Sequence, residues 1–223
     1  VAGTASATMM LLVLILASAT VTWLSIDAPA PGEMVQIPFA WVIGGFVVGL
    51  IAVMVGSFKP HLARIAGPIY ALAEGVVLGA ISRAYSEQYN GIVLQAVGAT
   101  LGVFVVMLLL YRSRIIKVTD RTRRIVMGAM MGLMAFYLVS FVIGMFGSMP
   151  SFISDASPMG IAFSLFVAGL AAFNLALDFD FIDKAEAAGA PKHMEWFAAF
   201  GIMVTLVWLY LEILRLLAKM RDR

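Results

Sequence analysis

Hydrophobic positions fall in seven long runs along the chain, and polar positions collect in the connections between them. The runs cover about residues 4–24, 39–57, 67–85, 92–111, 125–146, 159–178 and 196–218. Each run approaches the roughly 20 apolar residues that a helix needs to cross a bilayer. The pattern predicts an all-α polytopic membrane protein, with seven transmembrane helices in one bundle and one domain over residues 1–223.

Composition narrows the chemistry that such a bundle can perform. Of 223 residues, 62% are hydrophobic and 13% are charged, against about 45–50% and 25% in soluble domains. The absence of cysteine excludes disulfides, a thiol nucleophile and a thiolate metal site. The two histidines, His61 and His193, fall in predicted connections. We therefore expect no enzyme activity, no cofactor and no nucleic-acid binding.

Three classes of membrane protein lack their required residues in this chain. A retinal protein needs a lysine in the middle of its last helix, and Lys219 lies at the end of the last run. An intramembrane aspartyl protease needs a Gly-x-Gly-Asp motif, which does not occur. A rhomboid-type protease needs a histidine within the membrane, and neither histidine lies there.

Lysine and arginine residues predict the orientation of the helices, because they are enriched in cytoplasmic connections. The second, fourth and sixth connections are basic, whereas the first and fifth contain no Lys or Arg. This places the N-terminus in the cytoplasm and the C-terminus outside. The basic tail after Arg215 opposes that placement, so a last segment that re-enters the membrane stays an alternative. The chain opens at Val1 rather than Met, which predicts a natural N-terminal tail before it.

Acidic residues within the apolar runs are the most informative feature of the sequence. Glu74 lies in the third run, Asp178 ends the sixth, and Glu212 lies in the seventh. An ionised carboxylate at the bilayer centre costs about 2.5–3.5 kcal/mol on insertion scales, so such a residue needs a buried partner or a water-filled path. For Glu212 the partner could be Arg215, one turn further on, whereas only Asn174 is polar on the face of Asp178.

Pairs of glycines four residues apart also mark three of the runs. These are Gly45 with Gly49, Gly75 with Gly79, and Gly128 with Gly132. Small residues at this spacing allow helices to pack closely in a membrane. Ordinary helix packing is the expected role of all three pairs.

The three acid-bearing segments give the chain a family resemblance. They read EGVVLGAIS at 74–82, LDFDFI at 177–182 and LYLEILRLL at 209–217. In these segments the chain resembles the bacterial branch of the Bax inhibitor-1/YccA family, the transmembrane Bax-inhibitor motif proteins, and the resemblance extends over all seven helices. It implies a bundle with the last helix at its centre, in the bacterial inner membrane.

The resemblance also implies a function. In that family an acid of the sixth helix shares a proton with an acid of the seventh, and the pair controls a slow, pH-dependent calcium leak. Asp178 and Glu212 match these positions, with Phe179 in place of the usual Thr and Glu212 in place of Asp. They are the predicted pH sensor and transient Ca²⁺ ligands, with Glu74, Arg83, Asn174 and Arg215 as secondary polar partners. Two close carboxylates cannot both ionise cheaply and therefore titrate as a unit.

Depth along the helices leaves the partner of Asp178 open. Measured from a boundary near Lys184 and Glu195, Asp178 lies about 9 Å deep and Glu212 about 26 Å deep, at 1.5 Å per residue. The two meet only if helix six continues past Asp183, or if helix seven begins below the membrane plane and tilts, or if the last segment re-enters. The rival pairings are Glu74 with Asp178 and Arg83 with Glu212.

Two further choices stay open. Asp180 and Asp183 lie nearer the cytoplasm, either as a vestibule for cations or as solvated acids at a helix end. The expected partners are the lipid bilayer, Ca²⁺ and protons, with the protein as a monomer. The alternative function, also drawn from the resemblance, is a modulator without channel activity that binds a membrane-anchored quality-control protease.

Overall fold

The described residues of the protein form seven α-helices. The computed structural model describes residues 2–27, 36–145 and 155–222. The helices are α1 (Ala2–Ser25), α2 (Phe39–Phe58), α3 (Ala63–Gln88), α4 (Ile92–Arg112), α5 (Asp120–Met145), α6 (Pro158–Ala187) and α7 (His193–Arg221). All seven are long and apolar enough to cross a membrane, and no strand occurs among the described residues. The predicted all-α, seven-helix membrane bundle is confirmed.

The helices extend beyond the apolar runs that predicted them. Residue Phe146, predicted as the end of the fifth run, lies outside the described residues. The largest extension is in α6, which continues nine residues past Asp178 to Ala187. Its end is a Schellman turn, in which Ala190 N donates to Ala185 O (2.9 Å) and Gly189 has a φ of 62°. The apolar run therefore marks the part of α6 that suits lipid, while the helix itself stops at the glycine.

Two compact units can be described separately within the chain. Unit 1 comprises Val1–Val93 with Phe181–Val207, and unit 2 comprises Leu94–Asp180 with Trp208–Arg223. Helices α6 and α7 each contribute residues to both units. The assignment of residues 1–223 to one domain stays a prediction.

Burial separates α7 and α3 from the other helices. In the most apolar part of α7, 72% of residues are buried, and the corresponding value for α3 is 67%. The other five helices have 17–39% of these residues buried and expose large apolar side chains. The last helix is thus the most enclosed of the seven, while its predicted place at the centre of the bundle stays a prediction.

Unit 1 depends on close packing of α1 and α2 against α3. A Cβ atom placed on Gly75 would lie 2.8 Å from Ile15 O, and one on Gly45 would lie 2.7 Å from Ala73 O. Ser18 Oγ also donates to Leu72 O at 2.7 Å. These glycines therefore serve the packing role that their spacing predicts. By contrast, Gly128 and Gly132 on α5 have open space where a Cβ would be.

This contrast predicts opposite effects of the same substitution at two positions. Gly79→Ala places a Cβ against the backbone of Ala19 and should destabilise the protein by about 1–3 kcal/mol, the usual cost of overpacking. Gly128→Ala meets no neighbour and should be neutral or stabilising by up to about 1 kcal/mol through helix propensity. Thermal unfolding of the purified variants in detergent measures both. Equal effects would contradict the packing assignment.

The core of unit 2 joins α5, α6 and the second half of α7. Val126, Leu133, Val167 and Leu170 are its buried members. Aromatic side chains of the same three helices pack around them, namely Phe136, Tyr137, Phe163 and Trp208. This core fixes α6 against α5, and it holds the polar side chains described next.

Candidate functional site

Few charged side chains are buried in the part of the chain that the structure describes. They are Glu74, Asp180, Glu212 and Lys219. Two of these four, Glu212 and Lys219, lie on the same stripe of α7 as Arg215, because residues three and four apart share a helix face. This stripe is the centre of the candidate site.

Glu212 is the most enclosed of these four side chains, with 2% of its surface exposed. Arg215 Nη1 donates to Glu212 Oε2 at 3.1 Å and contacts the hydroxyl of Tyr137 at 3.3 Å. The contact between Glu212 and Arg215 is the one that their spacing on the helix allows. It neutralises the carboxylate through one oxygen only.

The second oxygen of Glu212 has no hydrogen-bond donor among the described residues. Ser164 of α6 faces the carboxylate and is near enough to interact with it as a hydroxyl neighbour. However, neither Glu212 Oε1 nor Ser164 Oγ has a hydrogen-bond partner of good geometry within the described chain. Buried polar atoms without a partner are rare in native proteins and typically indicate a water or an ion. The two oxygens are therefore polar atoms available to a water or an ion in the interior of unit 2.

Lys219 extends the cluster by two turns. Its side chain is 3% exposed, and Nζ donates to Gly160 O on α6 at 3.1 Å. Sequence reasoning treated Lys219 as a charge at a helix end and overlooked Ser164, Lys219 and Tyr137 as partners of Glu212. The spacing of Glu212, Arg215 and Lys219 could have indicated one polar face of α7.

Asp178, Asn174 and Asp180 occupy another part of α6. Asp180 is buried, and Arg123 of α5 donates to its Oδ2 at 2.7 Å. Asp178 and Asn174 are half-buried and lie one turn apart. Asp183, in unit 1, is exposed. Asp180 is therefore a buried carboxylate paired with a partly exposed arginine rather than a solvated acid.

The structure does not bring Asp178 and Glu212 together. Ser164, which faces Glu212, precedes Asp178 by fourteen residues of continuous helix, a rise of about 21 Å. Helix α5 gives the same separation. It contacts Asp180 through Arg123 and the Glu212 cluster through Tyr137, and these two residues of α5 are fourteen positions, or about 21 Å, apart. Two side chains cannot share a proton across that distance. Helix six does continue past Asp183, but α7 does not bring Glu212 down to the level of Asp178.

Glu74 and Arg83 belong to unit 1 and have partners of their own there. The Glu74 carboxylate lies over Gly49, where an added Cβ would be 2.7 Å from Oε1, and Tyr70 lies one turn before it. Arg83 forms an ion pair with Glu87 at 3.0 Å and lies over the ring of Trp23 at 5.4 Å. The rival pairings of Glu74 with Asp178 and of Arg83 with Glu212 stay predictions.

A tight metal centre is not formed by the described residues. Among them, no group of three or more His, Cys, Asp or Glu side chains could hold an ion. The donors available at Glu212 are one carboxylate oxygen and one serine hydroxyl, both hard oxygen ligands of the kind that Ca²⁺ prefers. Such a pair suits a transient cation with most of its water retained.

Comparison with known proteins identifies a family. A family model described as Bax inhibitor 1 like matches residues 1–222, almost the whole chain. No curated protein and no solved structure matched the sequence.

Proposed function

The chain belongs to the Bax inhibitor 1 like family, and from this premise we propose that it is a pH-sensitive, passive calcium leak of a bacterial inner membrane. Its fold is that of a multi-pass membrane protein with seven apolar helices. We propose that it is not an enzyme, that it needs no cofactor, and that Ca²⁺ is the ion that passes. It would act as a monomer with no nucleic-acid partner.

One observation carries this proposal. Glu212 Oε1 and Ser164 Oγ are buried oxygens that lack a hydrogen-bond partner within the described chain. A carboxylate and a hydroxyl at this place can receive a partly hydrated cation, and the carboxylate can also receive a proton. Protonation removes the charge that attracts the cation. Calcium flux should therefore rise with pH.

The pH response that we propose does not use the proton-sharing pair of Asp178 and Glu212 that the family resemblance implies. The separation of about 21 Å along α5 and α6 argues against one proton shared by Asp178 and Glu212. We propose instead that these acids are two separate protonation sites on one path. Asp178 would act near the Arg123–Asp180 ion pair, and Glu212 would act between one and two helical turns past the middle of α7.

Orientation is part of the proposal. The basic second, fourth and sixth connections would face the cytoplasm, with the N-terminus inside and the C-terminus outside. The 29-residue length of α7 supports a complete crossing by the last helix, because about 20 residues span a bilayer.

The experiment that tests the leak uses the purified protein alone. Liposomes loaded with a calcium-sensitive dye should show Ca²⁺ entry down its gradient when they contain the protein, and faster entry at higher pH. Empty liposomes and liposomes with a heat-denatured sample are the controls. A strict requirement for ATP or for a fixed counter-ion ratio would contradict a passive leak.

A second candidate function is modulation of a membrane-anchored protease. It is favoured by the exposed face of α5, where Gly128 and Gly132 leave room for the close approach of another helix. The same liposomes separate the two functions, since a leak needs only this protein whereas a modulator needs its target. Absence of flux from well-folded protein would favour the modulator.

A further inference from the structure

A groove between α2 and α3 is lined only by apolar side chains and ends beside a basic turn. The groove has a volume of about 280 Å³ and is formed by Val48, Ile51 and Val55 of α2 with Leu62, Ile65 and Ile69 of the following turn and α3. Beyond Val48 and Ile69 it continues into a larger groove that is mostly apolar. The lining offers no polar atom to a water-soluble ligand, so its occupant must be a hydrocarbon chain.

The turn at one end of this groove carries positive charge. Lys59 and Arg64 lie within four residues of the lining residues Val55 and Leu62, and both are exposed. His61, between them, is exposed as well. The first turn of α3 contains no acidic residue, and no described acid forms an ion pair with Lys59 or Arg64. The mouth of the groove is therefore basic without compensation.

We propose that this groove binds an anionic phospholipid, with one acyl chain between α2 and α3 and the phosphate at Lys59 and Arg64. An apolar channel and a cationic mouth match the two parts of such a lipid. Basic residues at the membrane surface attract anionic headgroups, and basic pockets between transmembrane helices bind them specifically. The site belongs to unit 1, and its assignment does not depend on the calcium leak.

The headgroup contribution is tested by removing the two charges. The purified full chain is titrated with phosphatidylglycerol or with zwitterionic phosphatidylcholine, and bound lipid is counted by native mass spectrometry. Phosphatidylglycerol should bind more tightly than phosphatidylcholine. Lys59→Gln with Arg64→Gln should weaken phosphatidylglycerol binding about 25-fold, at about fivefold for each basic residue near the surface. Arg121→Gln with Arg124→Gln, which removes equal charge from exposed positions of unit 2, is the matched control.

The contribution of the acyl chain is tested by filling the groove. Val55→Trp places a large ring in the groove from a partly exposed position, whereas Val106→Trp adds the same ring on the exposed face of α4. Only Val55→Trp should abolish the bound lipid, while thermal unfolding shows that both variants fold. Glycerol phosphate, which has the charged group but no chain, should not compete.

Three outcomes would overturn the proposal. They are equal losses of lipid from the two charge pairs, unchanged binding in folded Val55→Trp, and effective competition by glycerol phosphate.

Discussion

Glu212→Gln is expected to lower calcium flux at high pH and to remove the part of its rise with pH that depends on Glu212. Glutamine has the shape of glutamic acid but cannot ionise, so the charge that would receive the cation never develops. It can still accept the hydrogen bond from Arg215 and can donate to Ser164 Oγ. The substitution therefore changes charge with little change in packing.

The effect on flux should be large. Two unit charges at 4 Å attract each other by about 4 kcal/mol at an effective dielectric constant of 20, and every 1.4 kcal/mol is a factor of ten. Arg215 already offsets part of the charge of Glu212, so we expect a loss of roughly tenfold or more at high pH rather than the full value. Initial rates of dye-reported Ca²⁺ entry at a series of pH values measure it.

Glu87→Gln is a matched control for this change. It removes one carboxylate from an ion pair with arginine on a helix, but the pair is in unit 1 and Glu87 is partly exposed. The control should keep the wild-type flux profile. If Glu212→Gln is folded and also keeps that profile, Glu212 serves only as the structural partner of Arg215.

The sequence predicts the helices well because hydrophobic length is a local property. It predicts their ends less well, and α6 shows why. The apolar run stops at Asp178, yet the helix continues, because Asp180 is held by Arg123 and the last four residues, 184–187, are the good helix formers Lys, Ala, Glu and Ala. The stop signal was present in the sequence as Gly189 followed by Pro191. Hydropathy predicts which part of a helix can lie in lipid, whereas capping residues predict where the helix ends.

The glycine pairs show a second limit of local patterns. Gly75 and Gly79 have the same spacing as Gly128 and Gly132, but only the first pair meets a neighbouring helix within the described residues. The four-residue spacing of two glycines indicates only that a second helix could approach closely. Which helix approaches depends on the rest of the packing, which no single segment contains.

The candidate site shows a third limit. Glu212 was found from the sequence because a buried acid is unusual, and Arg215 was found because it is one turn away. Ser164 and Gly160 were missed because their roles depend on how far α6 is shifted along α7. The same shift separates Asp178 from Glu212. Relative shifts of two helices are set by tertiary packing, so motif matching paired two residues that the fold keeps apart.

Asp178→Asn and Glu212→Gln are expected to act additively on calcium flux. Sites more than about 7–10 Å apart usually add within roughly 0.3–0.5 kcal/mol, and the part of α6 that faces Glu212 lies about 21 Å along the helix from Asp178. A shared proton would give a non-additive result. Either single variant would already remove the pair, so the second substitution would have little further effect on flux. Flux ratios of the four proteins at one high pH, converted to free energies, provide the double-mutant cycle.

A second cycle, between Glu212→Gln and Arg215→Gln, shows that the method can detect coupling. These side chains are in contact at 3.1 Å, so their effects should depart from additivity by about 0.5–3 kcal/mol. Glu74→Gln completes the set, since coupling of Glu74 to Asp178 would establish that rival pairing. Strong coupling of Asp178 to Glu212 would instead mean that the conducting protein slides α6 along α7 by several turns. That motion would have to break the bond from Lys219 to Gly160 O, and Lys219→Met should then favour the conducting state.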